Sequence, residues 1–242
     1  MSIESKAAKG ATWLAFFQFT GQAISWAATV IVARILVPGD YGLMEMATLI
    51  TGYAFIFNEL GLGHAIIQSP TLTERQQSSV FWFSMMLSLF FALFALGVAY
   101  PTALIFDEPK VIPLTQATSI LFILSGLQIV PGSLLHKQMN FRIIGFINMM
   151  GVLVSCISMV VIAKLGGGVW TLIGGHIIRS LTRTVLVYST TGWRPLFSFH
   201  FQEAKRFIQF GVQVAVGRSL FYVFEKSDKF FAGRAWPAQS LG

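Results

Sequence analysis

Long apolar runs separated by short polar or turn-forming segments follow one another along this chain from residue 11 onward. An α-helix needs about 20 apolar residues to cross a bilayer, where every backbone polar group must be satisfied within the segment. The pattern therefore predicts seven membrane-spanning helices. They cover residues 11–33, 41–63, 78–100, 112–131, 143–163, 169–190 and 207–224.

Turn-forming residues and charges predict where these runs end. A Pro38-Gly39-Asp40 turn is expected after the first run, and a polar connection at 64–77 after the second. Pro101 is expected to end the third run, and glycines 166–168 to separate the fifth from the sixth. Pro113 and Pro131 bound the fourth run, and an amphipathic connection at 191–206 precedes the seventh.

The composition agrees with a polytopic, all-α membrane protein. Apolar residues make up 55% of the 242 residues and charged residues only 11%, whereas ordinary soluble domains carry roughly 25% charge. The net charge is +7, but the chain contains no run of five basic residues, so the sequence predicts no nucleic-acid partner. Cys156 is the single cysteine, which excludes a disulfide framework and a CxxC metal site.

Lysine and arginine counts predict the orientation. With the N-terminus in the cytoplasm, the connections on that side hold Lys6, Lys9, Arg75, Lys137, Arg142, Arg194, Lys205 and Arg206. The opposite loops before the seventh run hold only Arg34, Lys110 and Lys164. The excess on the first side favours a cytoplasmic N-terminus, although three further cations follow the seventh run.

Polar side chains inside apolar runs are candidates for function, because they are costly in hydrocarbon. Gln18 and Gln22 lie on a narrow arc of the first run, where they either line a cavity or bond to a neighbouring helix. Glu45 and Glu59 lie on one face of the second run. Each is either an ion-coupling carboxylate or a solvated group at a membrane interface.

The sixth run carries the sharpest signal. His176, Arg179 and Arg183 follow at i, i+3 and i+7 and so share one helix face. Arg179 falls near mid-membrane and needs an anion or water, which predicts a cavity lined by this residue. Guanidinium groups bind phosphate or diphosphate through paired hydrogen bonds. Arg183 is either a second ligand or a side chain that snorkels to the interface.

Two further features concern the fifth and seventh runs. Asn148, Gly151, Ser155 and Ser158 recur at helical spacing and predict a small-residue packing seam. Arg218 in the seventh run is either a second cavity cation or a sign that this span is irregular. No nucleotide-binding lysine loop, G-x-S-x-G elbow or H-E-x-x-H pair occurs, so the sequence predicts neither an enzyme nor a cofactor.

Several stretches in order along the chain resemble the polysaccharide transporter family of the multidrug/oligosaccharidyl-lipid/polysaccharide exporter superfamily. This family includes the bacterial exporters of O-antigen, colanic acid and teichuronic acid. The resembling stretches are ARILVPGDYGLMEMA, NELGLGHAIIQ, LTERQQSSVFW, LLHKQMNFR, GGGVWTLIGG, TGWRP and DKFFAGR.

The resemblance implies an inner-membrane protein with two six-helix lobes around a central cavity. Its substrate would be an undecaprenyl-diphosphate-linked oligosaccharide or a related polysaccharide precursor, moved between leaflets by alternating access. Membrane lipids and the polymerase or export machinery are the further partners that it implies. Such proteins act in lipopolysaccharide, O-antigen or exopolysaccharide biosynthesis.

This chain departs from the family in its length. Family members have about twelve spans, so residues 1–200 correspond to the first lobe and residues 201–242 to the start of a second, truncated lobe. Arg234 and Gly242 repeat the spacing of Arg34 and Gly42, which favours an internal duplication. We expect a fragment of a longer protein rather than a half-transporter that dimerises. The alternative functions are a drug or cation antiporter that relies on Glu45, and a non-transporting membrane subunit of polysaccharide synthesis.

Overall fold

The protein is a bundle of helices in a computed structural model that describes residues 3–59, 61–214 and 216–217. No strand occurs among these residues. The helices are α1 (Ile3–Ala33), α2 (Pro38–Glu59), α3 (Leu62–Gln68), α4 (Glu74–Phe106), α5 (Val111–Lys137), α6 (Phe141–Lys164), α7 (Trp170–Thr191) and α8 (201–214). The predicted all-α fold is confirmed.

Six long helices run alternately in the two directions across the bundle. We name its two ends after the segments there: the α3 end contains α3 and the start of α6, and the glycine-loop end contains residues 165–169. Four of the described helices are long and apolar enough to cross a membrane: α4, α5, α6 and the part of α1 from Thr12 to Ala33. The chain is therefore a multi-pass membrane protein. α2 and α7 fall outside this set; α7 carries His176, Arg179 and Arg183.

Small residues bring two helix pairs into close contact. α4 presents a line of buried small side chains to α5, made of Ser84, Ser88, Ala92, Ala95, Ala99 and Ala103. In the parallel α1–α6 pair, a Cβ atom added at Gly145 would lie 2.9 Å from the Phe17 ring. Such close packing is the main source of helix association in hydrocarbon, where the hydrophobic effect is absent.

Several predicted helix ends are wrong, and prolines account for most of them. α4 continues through Pro101 to Phe106, and α5 continues through Pro131 to Lys137. Neighbouring helices re-satisfy the backbone at such prolines in membrane helices. Pro38 begins α2 instead of forming a turn, because proline fits the first helical position. There, the Asp40 carboxylate accepts the Val37 N–H at 3.2 Å.

The second predicted run also ends earlier than expected. α2 stops at Glu59, and Gly61 adopts a left-handed conformation with φ of +61° that starts the short helix α3. The predicted polar connection at 64–77 thus begins inside a helix. The fifth and sixth runs agree with α6 and α7, and the break at glycines 166–168 is confirmed.

The connection after α7 lies against α4. The N–H groups of Leu196 and His200 donate to the hydroxyls of Ser78 and Ser79, at 2.9 and 3.2 Å. Trp82 Nε1 donates to the Leu196 carbonyl at 2.8 Å. α8 follows from residue 201, and Phe207 joins a core with α3, α4 and α5. The predicted start of the seventh run, at 207, is therefore six residues too late. Residues from 218 onward, which include Arg218 of that run and the later repeat at Arg234, lie outside the described residues.

We expect Trp82→Phe to loosen this connection. The change removes one hydrogen bond of about 1 kcal/mol and keeps most of the ring, which corresponds to a roughly fivefold larger open population. Chymotrypsin cleavage after Phe197, which is 95% exposed in this connection, should accelerate by that factor. Trp26→Phe, at an exposed position of α1, is the control. Equal cleavage rates in the two variants would contradict the role given to the Trp82 bond.

Candidate functional site

A cleft lies between α2, α5 and α7. Its larger part is a cavity of about 480 Å³. α2 contributes apolar and hydroxyl side chains, including Thr48, Thr51 and Phe55, and α5 contributes Thr118 and Leu121. The opposite wall comes from α7 and consists of His176, Arg179, Ser180 and Arg183.

A second cavity of about 440 Å³ adjoins the first toward the α3 end. Both cavities are lined by Phe55, Ser180 and Arg183, so they meet at these three side chains. The second is further lined by polar and basic groups, among them His64, Gln128, Ser133 and His136. Along α5, Thr118 and His136 are about 27 Å apart at 1.5 Å per residue. Together the cavities extend over nearly the thickness of a hydrocarbon core of about 30 Å.

Apolar packing closes the cleft at the glycine-loop end. Val32, Leu36, Ala163 and Leu172 form a buried cluster there with side chains of α2. A second cluster joins Ala47 of α2 to Ile173 of α7 through residues of α5, and Thr115 Oγ1 donates to the Ala47 carbonyl at 3.3 Å. The cleft is thus sealed at this end, and its basic side chains continue to the α3 end.

The basic wall of α7 is set by its close packing on α6. A Cβ atom at Gly151 would lie 3.0 Å from Cγ of Arg183, so glycine makes room for the arginine stem. One turn further along α6, Ser155 Oγ donates to the Gly175 carbonyl at 2.8 Å. The predicted small-residue seam on α6 is confirmed as a packing surface against α7. Gly151 and Ser155 are the seam positions that make these contacts. The Arg183 stem passes Gly151 of α6, and Arg179 and Arg183 both line the cleft.

Gln128 joins α5 to α7 beside the cleft, a role that the sequence reasoning missed. Its Nε2 donates to the Ser180 carbonyl at 3.1 Å, to Ser180 Oγ at 3.1 Å and to Thr184 Oγ1 at 2.8 Å. Tyr188 Oη donates to the Leu127 carbonyl at 3.0 Å in the next turn. The available signal was a lone glutamine in an apolar run, which is costly in hydrocarbon unless it is bonded.

The structure brings only some of the predicted residues together. His176, Arg179 and Arg183 line the cleft, whereas Gln18 and Gln22 are exposed on α1 and line neither cavity. Glu45 is exposed on α2 and also lines neither cavity. The predicted Glu59 lies at the last position of α2, and its side chain is outside the described part of the chain.

The electrostatic character of the cleft is basic. Two arginines and three histidines line the two cavities: His64, His136, His176, Arg179 and Arg183. None of the described residues lining them carries a carboxylate, and the described residues contain no cluster of His, Cys, Asp and Glu suited to a metal ion. The arrangement can hold an anion, with Arg183 shared by both cavities.

Several known proteins with similar sequences are named for the biosynthesis or transport of succinoglycan, lipopolysaccharide and teichuronic acid. The succinoglycan biosynthesis transport protein of Rhizobium meliloti is 28% identical over 72% of this chain and 35% of its own length. The lipopolysaccharide biosynthesis protein of Escherichia coli is 22% identical over 92% of this chain and 46% of its own. The teichuronic acid biosynthesis protein of Bacillus subtilis is 23% identical over 100% and 50%. No solved structure gives a significant match.

These relatives are longer than this chain, which spans half of their length or less. The family described as "Polysaccharide biosynthesis protein" matches residues 31–242, and so includes α2 to α8 and the whole basic cleft. The chain belongs to this family of polysaccharide biosynthesis proteins.

Proposed function

We propose that the chain is part of an exporter that moves an anionic, lipid-linked oligosaccharide or polysaccharide precursor across the bacterial inner membrane. The observation that carries this proposal is the basic cleft between α2, α5 and α7, which is closed at one end. The relatives named for polysaccharide biosynthesis and transport support the choice of substrate class. The protein acts as a transporter and not as an enzyme.

The substrate chemistry follows from the arginines. A guanidinium inside the membrane is costly and requires an anion or water beside it. Its planar donors pair with two oxygens of one phosphate group. A diphosphate between a polyprenyl lipid and its sugar, as in undecaprenyl-diphosphate carriers, offers such oxygens at the boundary between lipid and sugar. We assign the binding of this group to Arg179 and Arg183, with His176 beside them.

The transport step is alternating access. All six long helices cross the membrane in this proposal, because α2 and α7 owe their lower apolarity to the charged and polar side chains that they carry, many of them at the cleft. A second lobe that begins with α8 covers the cleft, and rocking of the two lobes exposes it to each side in turn. The lysine and arginine distribution supports a cytoplasmic position for the N-terminus and the α3 end. The sealed glycine-loop end then faces outward, so the lobe is arranged to receive substrate from the cytoplasmic side.

The position of the acidic residues favours an anionic substrate over a drug or cation. A cation antiporter of the same superfamily would be expected to place a carboxylate in its cavity. Glu45, the candidate for that role, is exposed and lines neither cavity. Gln18 and Gln22, exposed on α1, are left to contacts with lipid or with the second lobe.

Replacement of Arg179 tests the proposal in cells. Losing about 1.5–3 kcal/mol of charge-assisted hydrogen bonding predicts a roughly tenfold to hundredfold fall in export for Arg179→Gln. The measurement is surface polysaccharide, together with lipid-linked precursor retained in the inner leaflet, in a strain that lacks its own gene copy. Export by Arg179→Lys should lie between that of the wild type and that of Arg179→Gln, because lysine keeps the charge but lacks the paired donors.

Arg75→Gln is the matched control, since Arg75 is exposed in the first turn of α4 and lines neither cavity. It should export normally at an equal protein level. Normal export by Arg179→Gln at that same level would rule out the arginine cleft as the substrate site. A non-transporting subunit would show no retained precursor in the inner leaflet.

A further inference from the structure

We propose that the cavity at the α3 end is a second anion-binding site, formed by His64, His136 and Arg183, at which a diphosphate group binds before it reaches Arg179. The proposal rests on the function proposed above and adds a binding step to it. The cleft then contains two sites in series, the α3-end site and the Arg179 site, with Arg183 common to both.

Three helices bring these side chains to one cavity. His136 lies in the last turn of α5 and His64 in the first turn of α3, and both imidazoles are exposed at the cavity wall. His136 interacts electrostatically with both His64 and Arg183. His64, His136 and Arg183 are far apart in the sequence, so their convergence is a property of the fold.

A glycine allows this convergence. A Cβ atom at Gly63 would lie only 2.8 Å from Ser133 Oγ, so α3 can approach α5 this closely only without a side chain there. Ser133 Oγ is itself held at 2.6 Å by the Ile129 carbonyl, which limits its ability to move aside. His64 follows Gly63 directly, and Ser133 precedes His136 by one helical turn. The close approach of the two helices therefore sets the separation of the two imidazoles.

The basic side chains are the cationic or imidazole donors in the lining of this site. The Nε2 group of Gln128 already donates to α7 three times, and the Ser133 hydroxyl already donates to the backbone. The imidazoles of His64 and His136 and the guanidinium of Arg183 line the cavity and carry N–H donors that suit a phosphate oxygen. None of the described lining residues is acidic and would repel it.

The spacing along α7 suits transfer between the two sites. Arg179 and Arg183 are one helical turn apart, which is about 6 Å along the axis. Because Arg183 lines both cavities, an anion can contact Arg179 before it loses Arg183. The charge would remain paired throughout, which avoids the large cost of an unpaired charge in a medium of low dielectric constant.

Counting bound diphosphates tests the inference. We would place the full chain in nanodiscs of phosphatidylcholine and titrate inorganic pyrophosphate, and then farnesyl diphosphate, by calorimetry at one fixed pH. The expected result is two sites per chain. The double variant His64→Gln/His136→Gln should lose one site or bind it at least about tenfold more weakly, as expected from about 1.5 kcal/mol of lost charge-assisted bonding. Arg179→Gln should weaken the other site.

Three controls keep the result specific. His200 is the one histidine of the four that lines neither cavity, and it lies in the connection before α8. His200→Gln should retain both sites. The double variant His64→Gln/His136→Lys supplies a cation and should recover the site that His64→Gln/His136→Gln loses, which separates loss of binding from loss of fold. Phosphatidylglycerol in the nanodiscs should leave the diphosphate sites unchanged; if it abolishes the α3-end site, that site binds lipid headgroups and the inference is wrong.

The outcomes distinguish the two proposals. A wild-type chain that binds one pyrophosphate, lost in Arg179→Gln but not in the double histidine variant, overturns the second site and leaves the exporter proposal intact. Absence of binding in the wild type, together with normal export by Arg179→Gln, overturns both. Two sites that both persist in the double histidine variant also overturn the assignment to His64 and His136.

Discussion

Gly126→Ala is expected to force α4 and α5 apart and to destabilise the protein by about 3 kcal/mol. Overpacking typically costs about 1–3 kcal/mol, and we expect the upper end of that range here. A Cβ atom at Gly126 would lie 2.4 Å from Ser88 Oγ and 2.8 Å from Ser88 Cβ. Rotation of Ser88 could move only the oxygen, and would break its 3.0 Å hydrogen bond to Asn58 Oδ1. The Cβ contact remains in any rotamer, so the helices themselves must shift. Thermal unfolding in nanodiscs measures the effect.

A control in the same helix and a compensating change make this prediction specific. Gly132→Ala meets no atom within 4 Å and should be neutral, or stabilising by up to about 1 kcal/mol through helix propensity. Ser88→Gly removes both clashing atoms. Adding Gly126→Ala to the Ser88→Gly variant should therefore cost much less stability than adding Gly126→Ala to the wild type. Equal melting temperatures for Gly126→Ala and Gly132→Ala would refute the close α4–α5 contact.

The long helices could be predicted because their signal is local. An apolar run of sufficient length requires a helix in a bilayer whatever its neighbours are. The three glycines between α6 and α7 predict a helix break, and the structure has one there. Prolines misled the prediction of helix ends. Pro101 and Pro131 lose one backbone bond each, but neither has to end a helix that is supported by adjacent helices.

The α2–α3 corner could not be predicted, since its cause is not local. Leucines flank Gly61 on both sides, and the left-handed backbone fits a contact with α8 far along the chain. The sequence around this glycine is equally compatible with a continuing helix. The corner becomes visible only when α8 is in place.

Half of the basic cleft could be predicted from one helix. His176, Arg179 and Arg183 share a face by helical periodicity alone, so their common exposure to a cavity follows from spacing. His64, His136 and Gln128 come from other elements, and only the arrangement of α3, α5 and α7 brings them beside Arg183. Glu45 and the two α1 glutamines had the same sequence signal, a polar group in an apolar run, but the bundle leaves them outside both cavities.

Gly61→Ala is expected to disrupt the corner that forms the wall of the α3-end cavity. The substituted residue would have to keep a φ of +61°, which costs a residue with a Cβ atom about 1–2 kcal/mol. Its Cβ atom would also lie 2.7 Å from Cβ of Val214 and 2.8 Å from its Cγ1. Overpacking of this kind adds about 1–3 kcal/mol. The melting temperature should therefore fall, and His64, three residues further along, should move away from His136.

Three variants divide this effect between backbone and contact. Gly52→Ala, in the preceding helix α2 with no atom within 4 Å of the added carbon, should be neutral or slightly stabilising. Gly61→Asn tolerates the left-handed backbone but keeps the contact with Val214, so it should recover only the backbone part. Val214→Gly combined with Gly61→Ala removes the contact and keeps the strained φ, so it should recover only the contact part. If Gly61→Ala unfolds at the same temperature as Gly52→Ala, α8 does not pack on the corner, and the segment that follows α7 is not fixed to the wall of the α3-end cavity.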